Sequence, residues 1–120
     1  MAFVVEEIPD TANLFRNVPA VQYDVENRRA SSAAFNDSQM SVNWDRYAAP
    51  DQHVKPSTDY VTAINCGVCR EAGQVVQHAP IEPDGPFGPN QAHTEIHGKK
   101  NNAVKNKLRD SAQIVWRRAA

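Results

Sequence analysis

Between Met40 and Trp44 the chain reads M-S-V-N-W, apolar and polar residues in strict alternation, which is the signature of a strand with one face buried. A shorter strand is predicted at 14–18, LFRNV, bounded by Pro19. DYVTAI, at 59–64, is rich in β-branched and aromatic residues and predicts a third strand. NCGVCREAG follows, opening on the N-cap residue Asn65 and ending on Gly73, so a two-turn helix is expected at about 66–72. QVVQHAPI, at 74–81, returns to strand character. The next nine residues, EPDGPFGPN, hold three prolines and two glycines and predict a loop. Across it, AHTEIHG is expected to pair antiparallel with 74–81. A polar, proline-punctuated loop is read at 48–58. Val104, Leu108, Ala112 and Val115 recur at helical spacing and predict an amphipathic C-terminal helix over about 101–117. The order implies an α+β fold: a small antiparallel sheet, the short helix, and the C-terminal helix packed across one face. No repeat or linker interrupts the pattern, so residues 1–120 read as one domain.

Composition narrows the function classes. The formal net charge is -1, so no overall field drives the chain onto nucleic acid or membrane. Its distribution is uneven. From Lys99 onward seven Lys or Arg face Asp110 alone, whereas the first 98 residues carry six basic and thirteen acidic groups. The start, MAFVVEEIPD, has neither the basic opening nor the apolar length of an export signal or a membrane helix. Two cysteines two residues apart do not make a disulfide framework. A cytosolic, membrane-free protein is expected.

Cys66, Cys69, His93 and His97 supply both halves of a Cys-x-x-Cys and His-x-x-x-His zinc pattern. The halves lie further apart than in a zinc finger. Histidines four apart also serve one ion only on a helix, because on a strand they stand about 13 Å apart. Thr94 and Ile96 between them favour the strand, so neither metal nor cofactor is expected. The strand instead turns His93, Glu95, His97 and Lys99 to one face. With His78 on the facing strand they would form a titratable cluster suited to acid–base work, and His93, Glu95 and His97 are the candidate catalytic residues.

Two weaker constellations point to enzymes acting on nucleotides or nucleic acid. Pro83 and Asp84 precede Glu95 in a nuclease-like order, although His97 stands where such a motif has Lys. The basic segment at 99–118 could then grip phosphates electrostatically. Arg16, then Ser31 or Ser32, then Glu95 follow the order of ADP-ribosyltransferase side chains. The chain has no Gly-x-Gly-x-x-Gly, Walker loop or Gly-x-Ser-x-Gly elbow, so a hydrolase triad is not expected.

RRASSAAFNDSQMSVNWDRY, QVVQHAPIEP and QAHTEIHGKKNNAVKNKL together carry S-S-A-A-F…S-V and His-x-Pro…Ala-His…Gly-Lys-Lys. In these motifs, over about residues 14–112, the chain resembles a set of small uncharacterised bacterial proteins. The resemblance implies a bacterial, cytosolic origin and transfers no activity; the Cys-x-x-Cys stands outside it. It directs attention to Ser31, Ser32, Phe35, Ser41, His78, His93, Lys99 and Lys100. Of these, His78, His93, Lys99 and Lys100 lie near the start of the C-terminal helix, whose N-terminus favours anions, and form a candidate anion or phosphate site. The expected function is therefore binding, as a small accessory protein with a protein partner. The alternative is an enzyme acting on a nucleotide or nucleic acid.

Overall fold

A computed structural model of the chain describes residues 3–83 and 88–119. The elements run β1 (Asn13–Val18), β2 (Tyr23–Asp24), β3 (Arg29–Ala30), β4 (Gln39–Trp44), β5 (Tyr60–Asn65), α1 (Cys66–Glu71), β6 (Val75–His78), β7 (His93–His97), α2 (Asn102–Ser111) and β8 (Gln113–Arg117). Six strands form one antiparallel sheet in the order β6-β7-β4-β1-β5-β8, while β2 and β3 make a separate two-stranded ribbon. The fold is thus mixed, with helices outside an antiparallel sheet.

The alternation read at 40–44 sets the two faces. Met40, Val42 and Trp44 are buried, and Leu14, which pairs with Trp44, and Ile64, which pairs with Leu14, share their side. Cys66 and Cys69 of α1, Leu108 of α2 and Phe35, in the 3-10 turn Ser32–Phe35, close over them to make the core. Phe35, Leu14, Met40, Ile64, Ile96 and Leu108 are all completely or almost completely shielded; burying each such side chain stabilises by roughly 1.5–3 kcal/mol. Asn65 caps α1 as its identity predicts, accepting from the Val68 N–H at 3.1 Å. Asn101 does the same for α2, accepting from Val104 N–H at 3.0 Å. The hairpin across 82–90 also forms, with Val75 to His78 opposite His97 to Thr94.

The C-terminal helix is shorter than its expected 101–117. It stops at Ser111; Ala112 is already extended (φ -78°, ψ 145°), and 113–117 add a strand to the edge of the sheet beside β5. The physical reason lies in QIVWR. Its branched and aromatic residues suit a strand, and the edge of β5 offers a row of backbone N–H and C=O groups that such a strand can pair with. Val115, read as part of the helical stripe, is exposed at 42% at the irregular pairing of β8 with β5.

Candidate functional site: a polar groove on the helix-free face of the sheet

Strand β7 alternates as expected: Thr94 and Ile96 face the core, and His93, Glu95 and His97 face the other side. Their cross-strand partners on β4 are Asn43, Ser41 and Gln39. His97 Nε2 lies 2.9 Å from Glu95 Oε1, which also accepts from Gln39 Nε2 at 3.2 Å. Glu95 and His97 therefore form a self-contained pair, with His93 one step along the strand.

His78 is not with them. Residues directly opposite in a sheet share a face, and His78 stands opposite core-facing Thr94. It is buried, 5.2 Å from the Trp44 ring. Its Nε2 meets the Gln91 carbonyl at 2.7 Å and its Nδ1 meets the Glu6 N–H at 3.0 Å. A carbonyl only accepts and an N–H only donates, so the ring is the neutral Nε2–H tautomer. Lys100 is buried as well, its Nζ donating to the Ile96 and Gly98 carbonyls at 3.1 and 3.0 Å, and burial lowers its pKa. Lys99 is exposed. The expected anion set of His78, His93, Lys99 and Lys100 is thus not assembled at the start of α2. The hairpin pairs antiparallel as expected, but its register turns His78 inward.

What His93 joins instead is an open groove of about 680 Å³ on the helix-free face. Its floor comes from Phe15 and Asn17 of β1, Ser41 and Asn43 of β4, and His93. One wall is the polar loop at 52–58. That wall is pinned from two sides: Asn17 Nδ2 donates to the His53 carbonyl at 3.0 Å, and Arg118 donates to the carbonyls of Thr58 and Lys55 at 3.0 and 2.9 Å. Opposite it stand Ile81, Pro89 and Asn90, where Ile81 and Asn90 exchange two backbone hydrogen bonds of 2.9 Å.

Backbone groups dictate the polar orientation inside. Asn90 Oδ1 accepts from the Ala92 N–H at 3.0 Å, so its Nδ2 is the end that donates to Asn43 Oδ1, at 2.9 Å. That fixes the second amide in turn, leaving Asn43 Nδ2 for the groove. His93 Nδ1 sits 2.8 Å from the Ala79 carbonyl and must carry the proton there; Nε2, with its lone pair, lies 3.4 Å from Ser41 Oγ. Across the groove, burial holds His53 below its ordinary value of 6.5, and repulsion from His93 adds to this whenever that ring carries a second proton.

The other constellations come apart. Cys66 and Cys69 are core residues on α1, on the side of the sheet away from His93 and His97, so those four do not converge. Burial raises both thiols, Cys69 to about 12. Arg16 points to the core side, donating to the Ala34 and Ser41 carbonyls at 3.2 and 2.9 Å, whereas Glu95 lies on the groove side two strands away. The transferase-like order thus does not become a site. Asp84, from the nuclease-like reading, lies outside the described residues. Much of the basic C-terminal segment is engaged locally: Lys107 with Glu71, Arg109 with Asp110, Arg118 with Asp59 and with Trp116. Among the described residues no group of three or more His, Cys, Asp or Glu is placed to hold a metal ion, and no helix is long and apolar enough to cross a membrane.

Comparison with family models, with curated proteins and with solved structures finds no match. The groove's chemistry therefore has to speak through its own residues. Asn43, Asn90 and His53 escaped the sequence reading, because each sits in a segment whose polarity looked like ordinary strand or loop solvation. Ser41 was marked only by the motif resemblance.

Proposed function

We propose that this protein is a binding module that takes a small anionic ligand, a carboxylate or phosphate, in the groove over β1, β4 and β7. One observation carries the reading. Among the described residues that line the groove there is no Asp or Glu, although the chain has 14 acidic residues, while Lys55, His53 and His93 all border it. The neutral donors point the same way, Asn43 Nδ2 above all. A pinned loop wall and a fixed amide chain also mean that little must be ordered on binding. The anion expected from the sequence thus moves from the start of α2 to the opposite face, with His93 retained. A protein partner remains part of the proposal only as whatever supplies or receives that ligand.

Thermal melting against phosphate, citrate and uncharged or cationic compounds of similar size tests this. An anion at about 100 times its Kd should stabilise by about 2.7 kcal/mol. The rise should vanish in Lys55→Ala and His93→Ala. Stabilisation by neutral or cationic compounds and none by anions would reject the reading.

A further inference from the structure

We propose that Ser41 is a nucleophile and His93 its general base, so that the groove performs acyl transfer from an ester bearing an anionic tail. The tail rests on the anion reading above; the Ser41–His93 chemistry does not.

Three features of the geometry converge. First, the base is poised. The Ala79 carbonyl holds the His93 proton on Nδ1 and leaves the Nε2 lone pair toward Ser41 Oγ at 3.4 Å, a loose contact of the kind that tightens when substrate binds. Ala79 also donates its own N–H to the His93 carbonyl at 3.0 Å, so the ring is oriented by a residue tied to its backbone. Second, the nucleophile is rigid and reachable. Ser41 lies within β4, its carbonyl accepts from Arg16 Nη1 at 2.9 Å, and its side chain faces the groove. Third, a donor awaits the developing oxyanion. Asn43 is two residues along the same face of the strand and lines the groove, and the Ala92–Asn90–Asn43 chain engages its Oδ1, leaving Nδ2 as the end available to donate.

The sequence argued against a hydrolase triad because it has no nucleophile elbow. Here two neighbouring strands supply the pair instead, with a backbone carbonyl in the orienting position that a carboxylate fills in a triad.

The step balances with water alone. Ser41 Oγ bonds to the ester carbonyl carbon as its proton passes to His93 Nε2, and the carbonyl π pair moves onto oxygen beside Asn43 Nδ2. Collapse breaks the bond to the leaving alkoxide, which takes the proton from His93. Water then attacks the acyl-Ser41, His93 again relaying the proton, and carboxylic acid and free Ser41 result. Lys55 and His53 stand where a carboxylate or phosphate on the substrate would lie.

The test is covalent labelling of the full chain by an alkyl fluorophosphonate, in which the Oγ–P bond forms as fluoride leaves. Intact mass and peptide mapping are expected to place a single adduct on Ser41. It should be absent in Ser41→Ala and form about 10²–10⁴-fold more slowly in His93→Ala, with partial rescue by added imidazole. Melting temperature checks that both variants fold, and Asn43→Ala, which leaves the pair intact, should hydrolyse 4-nitrophenyl acetate at least ten-fold more slowly. An adduct elsewhere, none at all, or a rate unchanged by His93→Ala overturns the proposal. Melting with phosphate and citrate, run on Ser41→Ala, separates the two readings. Anion stabilisation without labelling removes the catalysis and leaves the groove; labelling without anion stabilisation removes the anionic tail and leaves the Ser41–His93 pair.

Discussion

Strand β7 belongs to two different environments at once. On one side Thr94 and Ile96 are fully buried, Ile96 in the core shared with Leu108 and the cysteines of α1, and Thr94 with its hydroxyl donating to the Ala92 carbonyl at 3.1 Å. On the other, His93, Glu95 and His97 face a sheet surface that no helix covers, with the groove around His93 walled by loops. Helix packing excludes water and gives stability. Loop walls pinned at a few carbonyls leave space and leave side-chain donors available. Stability and ligand chemistry are thus separated by the thickness of one strand, and mutations on the two faces should have different readouts.

The sharpest way to break that division is Phe35→Ala. Phe35 is fully buried against α2 and the sheet, so its loss should cost about 3–5 kcal/mol. Anion affinity per folded molecule should be unchanged. Urea unfolding measures the first and calorimetric titration at low temperature the second. A large affinity loss in the folded fraction would mean that the faces are coupled through the sheet.

His78→Ala comes next, at about 2–3 kcal/mol, because it strands the Glu6 N–H and the Gln91 carbonyl beside the core and removes the ring packed on Trp44. The same substitution at His93 should change stability by less than about 1 kcal/mol, since that ring borders an open groove. Equal losses at the two histidines would contradict the assignment of one to structure and the other to ligand chemistry.

Those two histidines also show what was legible in the sequence. Period-2 alternation gave both faces of β4 and β7 correctly, since it depends only on local geometry. Capping chemistry located the start of α1, because Asn65 acts on an N–H group three residues away. The stripe at 104, 108 and 112 located α2; its cap, Asn101, was not read from the sequence. Register was not legible. Whether His78 meets Thr94 or His93 is a shift of one residue, and that shift moves the whole side chain to the other face. The fate of 113–117 was hidden for a similar reason. An apolar stripe at 104, 108 and 112 continues to 115 as a helix only if no strand edge competes, and the free edge of β5 lies some fifty residues upstream. The groove was hidden most fully. Its walls come from loops that carry no periodicity, and its orientation depends on a relay through Ala92, Asn90 and Asn43 that only tertiary structure assembles.

Where the chain leaves β7 for the helical layer, Gly98 has φ +146°, and a Cβ there would lie 2.5 Å from Gln74 Oε1. Gln74 is itself buried, with Nε2 donating to the Lys99 carbonyl at 3.3 Å, so it has little room to withdraw. Gly98→Ala should therefore cost about 1–2 kcal/mol. Its effect should also appear as faster amide exchange at Lys99 and Lys100, just past the turn, with the groove amides of Ser41 and Asn43 protected as before. Exchange rising first at Ser41 would show the strain escaping into the groove.

The smallest effect concerns His53 and sharpens the comparison most, because it reports on the groove wall without cutting anything away. Burial, and repulsion from His93 whenever that ring carries a second proton, depress its pKa in the folded state, while the unfolded chain titrates at the ordinary 6.5. Between the two values the unfolded state holds more protons, so stability falls as pH drops through 6.5 and levels off below the folded-state pKa; above 6.5 the group contributes nothing. His53→Gln should remove that part of the acid limb, seen as a smaller fall in urea midpoint between pH 7.5 and 5 than in the unaltered chain. A bound anion reverses the balance, since it favours the charged imidazole and lifts the depressed pKa back up. Citrate or phosphate should then flatten the acid limb of the unaltered protein, and binding should strengthen as pH falls toward 5.5 in proportion. If the limb is the same with and without anion, the ligand does not reach His53, and it must be held by other groups of the groove, such as His93 and Asn43 on the sheet.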